Sequence, residues 1–315
     1  MKPTLLVRRA SYLAFVVAAA SCGGTELGPE YPPVEEPPAL DTPPEPETPA
    51  EPTPPPPPPA PPPITLSAGE HTPIEGAMPT IALVAPRNNA VIRGTGPIPL
   101  RIRLANWALP AGGGGNHVHL IVDNHPYIRL DDVSQPLDLR ALARQHLGGD
   151  LTEGSHLVRI FPSRMSHESV KANGAFAMAV IHVGRRTPAA EWTFDPRAPL
   201  LTYSRPKGCY GGNDAQRILL DYYVTNTTLA ADGHRVRLSI DGQPIGEPMT
   251  SWVPYYVTNL PAGDHTFLLE LLDAQGQPVA GPFNRTERRI TTRADACPAP
   301  AAPAPAPPAA GHGEH

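Results

Sequence analysis

His117-Val118-His119 is the segment of this sequence with the plainest chemical potential. On a β-strand, residues i and i+2 point to the same face. Two imidazoles would then stand side by side, as zinc and copper sites use them. His125, His156 and His167 are available as a third ligand. Ser166-His167-Glu168-Ser169 contains the parts of a base and a nucleophile. Adjacent residues on an extended chain point apart, however, so proximity in sequence does not make a triad. The chain has no Gly-x-Ser-x-Gly elbow, no His-Glu-x-x-His and no phosphate-binding glycine loop. The expectation is a protein that is not an enzyme. A third set of candidates is aromatic. Trp252, Tyr255 and Tyr256 cluster between two expected strands, and such residues stack on sugar rings or anchor protein partners.

The elements that must position these side chains read as β. Short alternating runs bounded by Gly, Pro, Asn and Asp recur at 98–104, 117–122, 157–161, 177–181, 218–224, 236–240, 266–271 and 288–291. One short helix is expected at Leu137–Leu147, after Pro136. The two halves look like one unit used twice. Asn106-Trp-Ala-Leu109 matches Asn226-Thr-Thr-Leu229, and Val118–Asp123 matches Val236–Asp241. Leu151-Thr-Glu-Gly-Ser-His156 matches Leu260-Pro-Ala-Gly-Asp-His265, which assigns His156 and His265 a shared hydrogen-bonding role in a turn.

The repeat bears on the histidine pair. Val118, Leu120 and Val122 align with Val236, Leu238 and Ile240, so those residues face a core. His117 and His119 align with Arg235 and Arg237. The pair is therefore expected on the outer face, where polar residues are the default, with a metal site as the alternative.

The order of strands, turns and Leu-x-x-Gly-x-His corners resembles the immunoglobulin-like or fibronectin-type sandwiches of bacterial surface proteins. The Cys…Trp…Cys arrangement of antibody domains is missing. The resemblance implies an all-β chain with two tandem Ig-like β-sandwich domains after a disordered Pro-rich stalk.

The leader supplies an address. Lys2, Arg8 and Arg9 precede a short apolar run, then Ala19-Ala20-Ser21 and Cys22, the layout of a secretory signal peptide. Small residues directly before a cysteine resemble the lipobox of bacterial lipoproteins, although Ala19 stands where leucine is usual. That resemblance implies lipid attachment at Cys22, and Gly23 after it favours the outer membrane. Three cysteines then divide into one lipidated residue and one Cys209–Cys297 disulfide, which an oxidising compartment permits. Much of the proline (45 residues) falls between Tyr31 and Pro63, a composition that favours an extended spacer over a core.

The chain thus divides into a signal peptide at 1–21, a lipid-anchored disordered linker at 22–63, a first Ig-like sandwich at 64–187, an interdomain linker at 188–205, a second sandwich at 206–297 and a disordered Ala/Pro tail at 298–315. The net charge of -5 and the scattered 25 Lys plus Arg exclude a nucleic-acid footprint. The expected function is a non-enzymatic cell-envelope lipoprotein. Its partners are the membrane, through the lipid, and an envelope protein or glycan. One alternative is a zinc- or copper-binding envelope protein using His117 and His119. A second is a carbohydrate-binding accessory module using Trp252, Tyr255 and Tyr256.

Overall fold

The computed structural model describes residues 60–299. The expected signal peptide, Cys22, nearly all of the Pro-rich linker and most of the Ala/Pro tail lie outside the described residues.

Among the described residues the regular structure is almost all strand. β1 (Thr65–Ala68) is followed by β2 (Thr80–Ala85), β3 (Ala90–Ile92), β4 (Pro99–Ala105), β5 (His117–Val122), β6 (Ile128–Leu130), β7 (Leu137–Asp138), the helix α1 (Leu139–His146), β8 (Gly154–Ser163) and β9 (Ala177–Val183). The second half runs β10 (Leu200–Arg205), β11 (Gly208–Gly211), the single turn α2 (Asn213–Gln216), β12 (Arg217–Thr225), β13 (Arg235–Ile240), β14 (Gln243–Pro244), β15 (Tyr255–Thr258), β16 (Gly263–Leu272) and β17 (Arg285–Arg293). The expected helix is present, shortened because Leu137 and Asp138 pair with β4 and Asp138 caps the helix by accepting from Arg140 N–H.

Each half is a two-layer sandwich. The first packs β2-β4-β7 against β3-β9-β8-β5-β6. The second repeats that order, β10-β12-β15 against β11-β17-β16-β13-β14, with β1 added beside β15. The copy extends to detail. β3 pairs with β9 in parallel, and β11 pairs with β17 in the same way. Asp123 (φ 50°) and Asp241 (φ 51°) both hold left-handed corners, a conformation short polar side chains tolerate. At each corner the carboxylate accepts from a histidine Nδ1–H and from a backbone N–H. His156 Nδ1 lies 2.7 Å from Asp123 Oδ2 and Leu157 N 2.8 Å from Oδ1; the equivalents from His265 and Thr266 to Asp241 are both 2.7 Å. Each Nε2 donates to a carbonyl four residues back, Thr152 or Pro261. The shared structural role expected of these two histidines is what the geometry displays.

Each sandwich has its own apolar interior. Val118, Leu120 and Val122 face the first, as expected, with Ile98, Leu100, Val158 and Ile181. Val236, Leu238 and Ile240 face the second, with Tyr222, Phe267, Leu269 and Ile290. Cys209 on β11 and Cys297 after β17 form the expected disulfide, Cα–Cα 5.9 Å, which ties the segment after β17 back to β11.

Two expected boundaries move. Thr65–Ala68, expected in the first sandwich, hydrogen-bonds in antiparallel register to Tyr255–Thr258 of the second. That register spans some 190 residues, and no local pattern encodes it. Leu200–Arg205, expected as linker, is the strand β10, paired with β12. Pro199 and Pro206 flank this strand without interrupting it, so proline content alone misplaces the boundary.

The sandwiches also share a buried seam. The outward face of the first five-stranded sheet meets the outward face of β10 and β12. Ile121, Tyr127 and Phe161 pack with Tyr223, Phe176 and Trp252. Leu157 and Val180 pack with Leu200, Phe283, Trp192 and Phe194. Two arginines stitch the seam. Arg159 donates to Thr202 Oγ1 (3.0 Å), and Arg288 donates to the Tyr203, Ser204 and His125 carbonyls.

Candidate metal centre

β5 is buried along its whole length on both faces. Its inward residues enter the first core, and its outward residues, His117, His119 and Ile121, meet the seam. The expectation that His117 and His119 occupy a solvated face is therefore wrong: both are fully buried. Alternation assigns a face correctly, but it does not say whether water or another domain covers that face.

The third histidine comes from the β8–β9 connection. Ser163 bridges to Ser169, and His167 N–H closes a tight turn on the Arg164 carbonyl at 2.8 Å. His167 adopts φ 68°, uncommon for a residue with a side chain, and its ring points back over β5. His117 Nε2 lies 2.9 Å from His119 Nε2 and 3.0 Å from His167 Nδ1. One ligand atom from each ring falls within 4.8 Å of the others. Of the three residues offered as a third ligand, His167 takes the place. His125 is exposed and His156 is committed to its corner.

Hydrogen bonds fix the ring states. His117 Nδ1 is 2.9 Å from the Gly115 carbonyl, which can only accept, so Nδ1 carries the proton. Its Nε2 is left with one lone pair facing two other ring nitrogens. That lone pair can accept from His119 or from His167, not from both. A cation at the centre would satisfy all three. His119 Nδ1 meets Ser204 Oγ of β10 at 3.1 Å, so the second sandwich helps orient the first sandwich's ligand.

Electrostatics keep the rings neutral. Burial pulls His117 down to about 4, against the Gly115 carbonyl and helped by the charges of Arg129 and Arg205. Burial, with Arg205 and His117, takes His167 to about 3. His119 is held well below the usual imidazole range by burial and by its two histidine neighbours. Neutral imidazole is the form that binds metal. Ligands about 2.0–2.1 Å from zinc at tetrahedral angles stand roughly 3.3 Å apart. The two pairs made by His117, at 2.9 and 3.0 Å, would open by a few tenths of an ångström, and His119 and His167 lie within 4.8 Å of each other.

Tyr127 and two cations complete the surroundings. The Tyr127 ring stacks on His119 at 3.6 Å, and its hydroxyl lies 3.1 Å from His167 Nδ1. Arg205 donates to that hydroxyl at 3.0 Å, and Lys207 Nζ sits 3.7 Å from the ring centre. Burial, with Arg205 and Arg288, lowers the Lys207 amine to about 8. Nothing in the spacing of Tyr127, Ser204, Arg205 and Lys207 along the chain announced that they would meet.

The other candidates are dispersed. Glu168 turns its carboxylate to Thr72 Oγ1 (2.7 Å) and toward Arg164, away from His167. Tyr255 is buried in the second core beside Tyr222. Tyr256 faces the other way, with the Arg217 guanidinium 3.4 Å from its ring centre. Trp252 is half-buried, edge-on to Tyr223 at 4.7 Å, with Nε1–H donating to the Tyr222 carbonyl. The three do not form one contact surface. Trp252 does line a groove of about 510 Å³ with Phe176, Tyr223, Asn173, Thr225 and Thr227.

Fold and site together define a tandem Ig- and fibronectin-III-like β-sandwich protein with a triple-histidine cluster between its modules. No family model matches the chain, and comparison with curated proteins returns no match. Among solved structures it is similar to fibronectin(III)-like modules of Clostridium thermocellum CbhA, with 10% identity, 68% of this chain and 95% of that chain covered, and TM-score 0.24. It is also similar to the central fibronectin-III array of RIM-binding protein, with 10% identity, 72% and 74% covered, and TM-score 0.23. The two tandem V-type regions of VCBP3, a v-region-containing chitin binding protein, show 10% identity, 69% and 100% covered, and TM-score 0.21. These are likenesses of fold alone.

Proposed function

We propose that this chain is a non-catalytic cell-envelope lipoprotein whose two sandwiches act as one binding or structural arm, with a zinc or copper ion held by His117, His119 and His167 at their junction. The carrying observation is the convergence of three neutral imidazoles in a buried seam, with one nitrogen of each ring turned toward the other two. The ion would act as a structural ligand. It would join β5 to the β8–β9 turn and, through Ser204, brace both against β10 of the second sandwich. The leader ending at Cys22 and the proline-rich spacer support an anchored, extended placement.

The test is metal analysis of the full chain purified from the envelope fraction. We expect close to one zinc or copper per chain, lost in His117→Ala and in His167→Ala, and a lower Tm after chelation. A chain that retains no metal, and whose Tm ignores chelator, overturns the metal reading. Labelled palmitate that fails to enter the chain, or enters Cys22→Ser equally, overturns the anchor.

A second reading rests on the groove beside Trp252. Its floor is aromatic and its named polar residues are neutral amides and hydroxyls, a chemistry suited to an uncharged sugar. Glycan binding that survives Trp252→Ala would remove it.

A further inference from the structure

The seam holds a second polar cluster that the metal reading does not use. Lys171, in the β8–β9 connection of the first sandwich, points its amine at Asp221, on β12 of the second. Nζ and Oδ1 are 2.5 Å apart, and the two side chains are 1% and 0% exposed. Ser169 joins them. Its Oγ–H and N–H donate to Asp221 Oδ1 at 3.0 and 3.3 Å, and its Oγ accepts from Lys171 Nζ at 2.8 Å. Asp221 Oδ2, fully buried, has no partner among the described residues. The surroundings are apolar: Tyr223 donates to the Ala172 carbonyl and packs against Phe161 and Phe176.

As an ion pair this arrangement is poorly satisfied. Buried charges need every lone pair filled, and an orphaned carboxylate oxygen forfeits that compensation. As an amide it closes. We propose that Lys171 and Asp221 form an intramolecular isopeptide bond that covalently joins the two sandwiches.

The step is a condensation. The ammonium hands one proton to the carboxylate, leaving a neutral amine and a neutral acid, the forms that burial prefers. The Nζ lone pair attacks Cγ, and negative charge develops on Oδ1, where Ser169 N–H and Oγ–H already point, as in an oxyanion hole. The Cγ–Oδ2 bond breaks. Oδ2, held by nothing, leaves as water with the transferred proton and a second one from Nζ. Oδ1 remains as the amide oxygen, still hydrogen-bonded by Ser169. One water is released, and no oxidant or cofactor enters. The orphan oxygen and both buried charges disappear together.

The experiment is mass spectrometry of the full chain after denaturation, reduction and trypsin digestion. We expect Met165–Arg185 joined to Ile218–Arg235 as one branched peptide, uncut after Lys171 and lighter than the two separate peptides by one water. In Ser169→Ala we expect a smaller branched fraction, and in Lys171→Arg none. Recovery of Met165–Lys171 and linear Ile218–Arg235 at their sequence masses, with no branched species, overturns the proposal. The wild-type digest decides whether or not a variant folds, and metal content does not enter the readout.

Discussion

The two sandwiches carry out the same design with opposite outcomes at one pair of positions. On β5 the outward residues are His117 and His119; on β13 they are Arg235 and Arg237. The strands share their place in the sheet, their inward residues and the Asp corner that follows. Arg237 stays a third exposed and pairs with Glu270 at 2.9 Å, which also accepts from Arg285 at 3.2 Å. Arg235 donates to the Asp273 and Ala274 carbonyls. His117 and His119 have no water to face, because the second sandwich covers their sheet. The same face of the same fold is a part-exposed ion-pair surface in one copy and a dry cluster of neutral imidazoles in the other. What differs is the cover, not the sheet.

Exchanging the residues tests that contrast most severely. His117→Arg with His119→Arg puts two charges into the seam beside Arg205 and should destabilise the protein by more than about 3 kcal/mol, read by urea denaturation. The converse, Arg235→His with Arg237→His, removes one of the two arginines on the buried Glu270 carboxylate but leaves Arg285. It should cost about 1–2 kcal/mol, less than the first exchange, and acquire no metal. Similar losses in both directions would mean that cover does not decide the roles.

The corner clamps should behave alike. His156→Ala and His265→Ala each leave a left-handed aspartate with its backbone donor but without its histidine, and each should lose about 1–2 kcal/mol. A loss confined to one sandwich would break the equivalence. Their pH signatures should differ. Burial pulls His156 down, but the Asp123 hydrogen bond and charge and the Thr152 carbonyl outweigh it, and the net shift is upward. A raised folded value means its contribution is complete below the unfolded histidine range and fades as pH rises through the folded value. At Asp241, burial raises the carboxyl, but the bonds from His265 and Thr266 win and hold it low. That contribution is present above the unfolded carboxylate range and fades as pH falls through the lowered value. Stability profiles of the two alanine variants against the parent, from acid to mild alkali, check both directions.

The smallest effect concerns β1. Leu66 packs against the second core although its strand precedes the first sandwich. Leu66→Ala should cost about 1 kcal/mol and raise amide exchange along β15 and β12, leaving β2 and β4 unchanged. Faster exchange in β2 would return that strand to the first sandwich.

Much of this was legible in the residues alone. Two-residue alternation identified the long strands because a half-buried sheet sorts side chains by face. The repeated Leu-x-x-Gly-x-His corner announced the clamps because glycine and histidine there do local work within a few residues. The Cys209–Cys297 pairing followed from counting. Local physics also assigned His117 and His119 correctly to the side of β5 away from its core. It had no means of saying what lies on that side. That is decided by docking: Ser204 and Arg205 reach the histidines, Asp221 reaches Lys171, and β1 reaches β15 only because two folded sheets pack face to face. Contacts of that kind depend on which apolar surfaces are left over once each sandwich has closed its own core, and that remainder exists only in three dimensions.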